Sequence, residues 1–537
     1  MLTSNPLARR TAATARTVCR ALPLVLCARA ALAQPAPAPA APPALPLPGV
    51  TAPAAPAPTP GGEPGLAVAP APAPKDAGAA LERELAELVG RPGGLTADVV
   101  AERAVATSQD VAAAAARRGA ADADVEGARL RYAPRLTLGA GYQRLSPIEE
   151  PTLGTLVAAP GAEAGRPLPD GTLLVAAPIS FPSVLDQIQL RASLVVPLTD
   201  YFLRYPQALD ATKHGRAAAD HEVVARRARV DAEARLAYYA WVRAELQRVA
   251  TRQARARAAQ HLHDVERALA AGLATSADVR AVEAQEAQAE LVELRATDAA
   301  SVAAEQLATL QHLPPGAAFT IGEDVLAEPP LPRVPTVEEA WAEAERSRPE
   351  LRALAATGDQ LREQDAALRA QQLPRIDATG EALLAHPNPR YFPPAEEFRA
   401  TWALGVQATW TVNDAPTTAA SRRALSAQGR AITAQRGAVR DGLRTEVVTA
   451  IRNVEQAGRA IDAAERGHRA AMAAYAVRRE QYRAGRATSV ELTDAETELT
   501  RARIELTDAL VGARVAVVRL DHALGRDVQR VEAQARR

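Results

Sequence analysis

Apolar positions change their period along this chain, and they do so twice in the same order. A helical stretch opens near Thr96, an N-cap candidate with Asp98 in the first turn, and runs to about Arg131. Past Pro134 the period becomes two: Leu136, Leu138, Ala140 and Tyr142 alternate with Thr137, Gly139, Gly141 and Gln143. A returning strand sets Ile188, Leu190, Ala192, Leu194 and Val196 against Gln189, Arg191 and Ser193. The helical period then resumes over about 206–270, turns at Gly272 and continues in a second helix. Thr336, followed by Glu338 and Glu339, reopens the series, and Pro374 again marks the switch to period two. Ile376, Ala378 and Ala382 oppose Asp377, Thr379 and Glu381; Phe398, Trp402, Leu404, Val406 and Trp410 oppose Arg399, Thr401, Gln407 and Thr409. A long helix at about 416–483 and a turn at Gly485 complete the second copy.

The repetition is a duplication. At an offset of 240 residues Arg131-Tyr-Ala-Pro-Arg-Leu136 meets Gln371-Gln-Leu-Pro-Arg-Ile376. Farther on the offset is 213, and Ala270-Ala-Gly-Leu-Ala-Thr-Ser276 meets Arg483-Ala-Gly-Arg-Ala-Thr-Ser489. A period this long is a duplicated half, not a solenoid unit. The reading is a first repeat at 80–315, a linker at 316–334 and a second repeat at 335–530, with strands at about 135–143, 187–197, 375–383 and 398–411.

Strands apolar on one side and polar on the other, with charges (Arg191, Asp377, Glu381) in mid-strand, fit a membrane barrel with lipid outside and water inside. Trp402 and Trp410 lie eight residues apart on the apolar face. At a tilt of about 40° that is about 20 Å, the spacing of two aromatic girdles. The connecting loops at about 144–186 and 384–397 are long and rich in Pro and Gly, as extracellular barrel loops are. Four strands cannot close a barrel, and lipid does not tolerate open edges, so two or three chains must combine to give 8 or 12 strands. The long helices would each span about 100 Å and are too polar for a membrane. Leu262, Val265 and Leu269, and on the return helix Leu510, Val517 and Leu524 with Ala513 and Leu520 between them, read as coiled-coil seams. Each copy thus forms a helical hairpin, whose tip glycine suits a left-handed C′ position.

Composition agrees. Only 3% of residues are aromatic, which suits long helices better than a globular enzyme, and the net charge of zero gives nucleic acid no basic surface. The first 33 residues read as an export signal, with Arg9 and Arg10, an apolar run at 21–28 and small residues at 31–33. Both cysteines, Cys19 and Cys27, fall within it, so no disulfide is expected; Leu26 before Cys27 argues against a lipoprotein. Residues 34–78 are an Ala/Pro-rich spacer. No catalytic constellation, cofactor fingerprint or metal site emerges: the eight histidines are scattered, and His261 and His263 would point to opposite sides of a helix.

The acids at the tips remain. Glu491 and Asp494 share a helix face just past Gly485, and Asp278 holds the matching place in the first copy. In a cyclic assembly they would form a carboxylate ring at a pore mouth; the alternative is that acids near a helix N-terminus stabilise its dipole.

The duplicated order, the Ala-Pro-Arg-Leu and Leu-Pro-Arg-Ile junctions and the two tip sequences resemble the TolC family of outer-membrane efflux proteins, over about 80–530. The resemblance implies a mixed α/β membrane protein. Three chains would build a 12-stranded outer-membrane β-barrel and a periplasmic α-helical barrel. The tunnel would dock on a periplasmic adaptor and an inner-membrane pump, of resistance-nodulation-division or ATP-binding type, and would have no enzymatic activity and no cofactor. Glu491 and Asp494 occupy the places of the family's entrance acids. Tyr482 and Asp278 match two members of its entrance-closing contact, whereas Arg486 sits one residue before the family's arginine and Ala487 fills that place. Gly272 and Gly485 correspond to tips presented to the adaptor. The competing expectation is a periplasmic coiled-coil scaffold without a pore, and the exported substrate is left open.

Overall fold

The computed structural model describes residues 77–147, 152–159, 165–180, 184–392 and 394–535; the expected export signal, with both cysteines, and nearly all of the spacer lie outside them. The first copy contains α1 (Ala77–Leu88), α2 (Ala97–Thr107), α3 (Gln109–Leu130), β1 (Arg135–Arg144), β2 (Thr152–Ala158), β3 (Val175–Ser180), β4 (Asp186–Pro197), α4 (Asp200–Leu203), α5 (Tyr205–Ala270) and α6 (Ser276–Leu310). The second contains α7 (Val337–Ser347), α8 (Pro349–Ala370), β5 (Arg375–His386), β6 (Arg399–Thr409), a short 3-10 turn (Val412–Asp414), α9 (Ala415–Arg483), α10 (Ser489–Leu524) and α11 (Arg526–Ala535).

Four strands form one antiparallel sheet in the order β1-β4-β5-β6, so the two copies join through the β4–β5 pairing. Each pairing sets even-numbered residues opposite even-numbered ones, as in Leu138↔Ala192, Leu190↔Leu384 and Ala382↔Trp402. The alternation of all four strands therefore adds up on one face. That face is apolar and open: Leu138 is 75% exposed, Trp402 71% and Leu404 78%. At its end beside the first loop, Arg144 pairs with Asp186 at 3.1 Å and the Tyr142 hydroxyl donates to the same carboxylate at 2.8 Å. The opposite face carries polar groups, among them Arg191 3.7 Å from Glu381. Among the described residues β1 and β6 each pair on one side only.

The helices extend from this sheet as a layer. α5, with 66 residues, and α9, with 69, are each about 100 Å long. α3 and α6 pack along α5, α8 and α10 lie between α5 and α9, the short α7 also packs on α9, and among the described residues no further long helix packs on α9, α3 or α6. Two cores fill the middle of the layer. In one, α1 and α2 bury Leu85, Val100 and Ala104 against Tyr238, Trp241 and Leu246 of α5. In the other, Ala340 and Ala344 of α7 lie against Val447, Ile451 and Val454 of α9 and Leu510 and Leu520 of α10. Arg235 of α5 is buried and bonded to Asp231 at 2.8 Å and to Asp98 of α2 at 2.7 Å, so the charge carried inward is compensated on both sides.

The structure departs from the sequence expectations in four places. The first helix of each copy is two helices. Ser108 caps α3 by accepting from the Val111 amide, and Arg348 is held extended before Pro349, which starts α8. The first long loop carries an additional hairpin, β2–β3, so the chain has six strands among its described residues and not four. α1 begins at Ala77, inside the expected spacer. In the seams Val265, Leu510, Ala513, Leu520 and Leu524 are buried, but Leu269 is exposed and Val517 only half-buried. Near its tip the first hairpin turns that position to the outside.

The segment before α2 crosses the inter-repeat linker backbone to backbone. Gly322 N–H donates to Leu95 O at 2.7 Å and Leu95 N–H to Thr320 O at 2.8 Å. A Cβ on Gly94 would lie 2.6 Å from the Gly322 nitrogen, and no side chain is present to rotate away. The Gly94→Ala substitution is expected to lower stability by about 1–3 kcal/mol in denaturant unfolding followed by circular dichroism. Gly119→Ala, in a stretch of α3 where an added Cβ meets nothing within 4 Å, should leave stability unchanged or raise it slightly.

Candidate functional site

The two hairpin tips are built alike. α5 ends in a left-handed Gly272 (φ +74°), with Gly272 N–H donating to Leu269 O and Leu273 N–H to Ala268 O. α9 ends in Gly485 (φ +66°), with Gly485 N–H donating to Tyr482 O and Arg486 N–H to Gln481 O. Both turns are Schellman motifs, which only a residue tolerant of positive φ closes without strain. Three residues past each glycine a threonine caps the return helix, and three further on an acid completes a capping box. Asp278 Oδ2 accepts from the Thr275 amide at 2.9 Å and its hydroxyl at 2.7 Å; Glu491 Oε2 accepts from the Thr488 amide at 2.9 Å and its hydroxyl at 3.2 Å.

These bonds hold both carboxyls below the usual carboxylate range, the backbone amide contributing most in each. Glu491 also faces Arg478 of α9 at 3.3 Å, whereas Asp494, one turn on, is exposed. Glu491 is thus a capping residue whatever further role it has, and Asp494 is the freer carboxylate. Tyr482 is half-buried against the His261 ring, 5.8 Å between centroids, and burial pushes its phenol up. It makes no hydrogen bond to Asp278 within the chain, and Arg486 is exposed with no ion pair among the described residues. One chain therefore does not by itself assemble Asp278, Tyr482 and Arg486 into a bonded set. Trp402 and Trp410 stand exposed on the apolar sheet face, the Trp410 indole donating to Gln372 O at 3.1 Å near the sheet-to-helix junction.

Sequence reasoning passed over a polar ladder that ties the first hairpin to the second. His261 of α5 bonds Ser489 of α10 at 2.7 Å, Arg257 donates to Thr500 at 2.7 Å, and Arg243 pairs with Asp508 at 3.3 Å while Gln247 donates to the same carboxylate at 3.2 Å. Glu496 of α10 sits against Arg257 and accepts from the Tyr475 hydroxyl of α9 at 3.4 Å. Burial raises Glu496 and Asp508 and lowers Arg257 and His261. His263, two residues on, is exposed. The signal was present as spacing: Arg243 with Gln247 and Arg257 with His261 are the same i, i+4 pair repeated two heptads on.

This geometry gives the comparisons their meaning. Residues 341–526 match the family model "Outer membrane efflux protein". The chain has an outer membrane efflux protein fold. It is similar to the CmeC outer membrane channel of Campylobacter jejuni, with TM-score 0.64, 13% identity, and 88% of this chain and 98% of that one covered. It is also similar to the outer membrane protein VceC of Vibrio cholerae (0.63, 18% identity, 80% and 96% covered). The open state of the Neisseria gonorrhoeae MtrE outer membrane channel matches at 0.63 and 17% identity, with 80% and 88% covered. A comparison with curated proteins finds no match. The efflux-protein family and these structures are channels and outer membrane proteins, not enzymes.

Because the tip carboxyls of this efflux-protein fold titrate below their ordinary range, the stability they contribute is complete only above about pH 5.5, clear of the ordinary glutamate value. It is lost as pH falls through the depressed values. Thr275→Val and Thr488→Val remove the hydroxyls that Asp278 and Glu491 accept from. A carboxyl ¹³C NMR titration should show each acid moving upward toward the ordinary range in its own variant.

Proposed function

We propose that this chain is the outer-membrane duct of a tripartite efflux or type I secretion system. The duct carries substrates from an inner-membrane pump and a periplasmic adaptor to the exterior. The observation that carries the reading is the pairing of an exposed apolar sheet face with two open strand edges. A face of this kind is stable only against lipid, and open edges in lipid must find partners. The helical layer has matching open sides at α9 and at α3 with α6. Three copies joined edge to edge give a 12-stranded barrel continuous with a helical tube whose tips reach the adaptor at Gly272 and Gly485. Trp402 and Trp410 anchor the barrel at the two lipid interfaces. A pore-free coiled-coil scaffold has no use for the apolar sheet face, which counts against it.

At the far end of the tube Glu491 and Asp494 of three chains form an acidic ring around the entrance, with Asp494 the exposed member. Asp278, Tyr482 and Arg486 then act between neighbouring chains at the constriction, since one chain does not pair them. Charge on the sheet's polar face is mixed, and no substrate class follows from it.

Purified protein in a planar bilayer should conduct as a trimer, and polyvalent cations added on the tip side should block it. The Glu491→Ala/Asp494→Ala double variant should weaken that block about tenfold or more, since both carboxylates of every chain leave the ring. A purified trimer with no conductance would overturn the duct reading.

A further inference from the structure

Where α8 and α9 leave the sheet they enclose a cleft of about 620 Å³, large enough for a small molecule. Its polar lining is Arg362, Asp365 and Arg369 of α8 and Arg422, Arg423 and Ser426 of α9. Asp365 is shared by Arg369 at 2.7 Å and Arg422 at 2.8 Å, and Arg422 holds its carboxyl below the usual range. Arg362 pairs with Asp359. Arg423 is exposed and has no acidic partner among the described residues. Four guanidiniums thus meet two carboxylates, and the cleft keeps a positive excess that nothing among the described residues neutralises.

The duplication supplies an internal control. The first copy lacks the excess: at the offset of 213 Asp210 corresponds to Arg423, and along the α3–α5 face Arg216 pairs with Asp122 at 2.7 Å and, one to two turns farther from the sheet, Arg118 pairs with Asp220 at 2.7 Å and Arg117 with Glu222 at 3.5 Å. At the repeat offset of 240, Asp122 corresponds to Arg362. Where the first copy has a neutralising acid, the second has a further cation, so the excess is particular to one cleft and not a consequence of the architecture. α8 and α9 are lateral neighbours within one chain, so chain-to-chain contacts at the open sides of the layer leave the cleft uncovered.

We propose that this cleft binds a phosphate-bearing anion. Guanidinium forks converging from two helices match the tetrahedral oxygens of phosphate and give each of them a charge-assisted donor. The cleft lies in the last turns of α8 and the first turns of α9, within about 20 Å of the sheet. Two sources of phosphate meet there: the headgroup of an anionic phospholipid bordering the sheet, and a soluble phosphorylated solute. The lipid source rests on the membrane reading proposed above, while the soluble source needs only the cleft.

Two measurements on the full chain separate them. Sodium pyrophosphate titrated calorimetrically into detergent-solubilised protein at low salt should bind saturably. Arg369→Ala/Arg423→Ala should weaken binding about tenfold or more, and Arg117→Ala/Arg118→Ala on the paired α3–α5 face of the first copy should not. In vesicles of phosphatidylcholine doped with phosphatidylglycerol, native mass spectrometry of the extracted protein should find phosphatidylglycerol retained by the wild type and lost from the cleft variant. Pyrophosphate binding assigns the soluble source, and lipid retention without it assigns the headgroup. Binding of neither probe, or equal loss in both double variants, overturns the site. Should the double variant misfold, Arg423→Glu alone leaves the Asp365 pairs intact, and unchanged binding of both probes in it has the same meaning.

Discussion

A β-sheet that faces hydrocarbon has no water to satisfy its outermost amides and carbonyls, and each such group left alone costs several kcal/mol. In this chain the outward sides of β1 and β6 have no strand partner among the described residues, and they flank an exposed face of leucine, valine and tryptophan. The rest of the design follows from that pair of edges. Four strands are too few to curl closed, and in the duct reading proposed above their partners come from other chains. The helices inherit the same arrangement because each strand runs directly into one of them. Among the described residues the helical layer ends at α9 on one side and at α3 and α6 on the other, as the sheet ends at β6 and β1.

Within a chain, α5 is the element on which both copies depend. It takes α2 and α3 from the first copy, α8 and α10 from the second, and α11 from the end of the chain. The two larger apolar cores lie in mid-layer, where α1, α2 and α7 widen it; toward the tips a smaller core of Tyr475, Leu492 and Leu499 joins α9 to α10, and polar contacts of Arg257, His261 and Asp508 bridge the hairpins. Burying those groups makes them costly to separate but specific in register, since a slip of one turn would leave charges without partners. The tip turns themselves are closed by local chemistry, a Schellman glycine followed by a capping box, and so come out alike in both copies.

The copies diverge where neighbours outside the repeat act on them. Pro349 breaks the second copy's entrance helix where Ser108 breaks the first, two different local devices for the same bend. The first copy's longer loop holds an extra hairpin. The α3–α5 charges cancel, while those of α8 and α9 do not. Such differences leave the backbone architecture almost unchanged and alter only what the surface presents.

Much of this was legible in the sequence. Strand alternation was legible because the two faces of the sheet differ in polarity, so every second residue reports its side. The tip glycines and Thr96, Thr336 and Thr488 were legible because capping is decided within a few residues. The break at Ser108 was not, since a serine within a helical pattern is also tolerated there, and packing onto α5 settles the choice. Nor were Leu269, Val517 or the partners of Arg257 and Glu496: heptad spacing says that a residue faces a neighbour, not which neighbour or how deeply. By itself, then, the sequence determined the order of elements, their duplication, the two-faced sheet and the tip turns, all set by period and local hydrogen bonding. Only the tertiary structure decided which polar side chains are buried, which charges cancel and where two helices part to leave a cleft. Those outcomes depend on residues more than a hundred positions apart arriving at the same place.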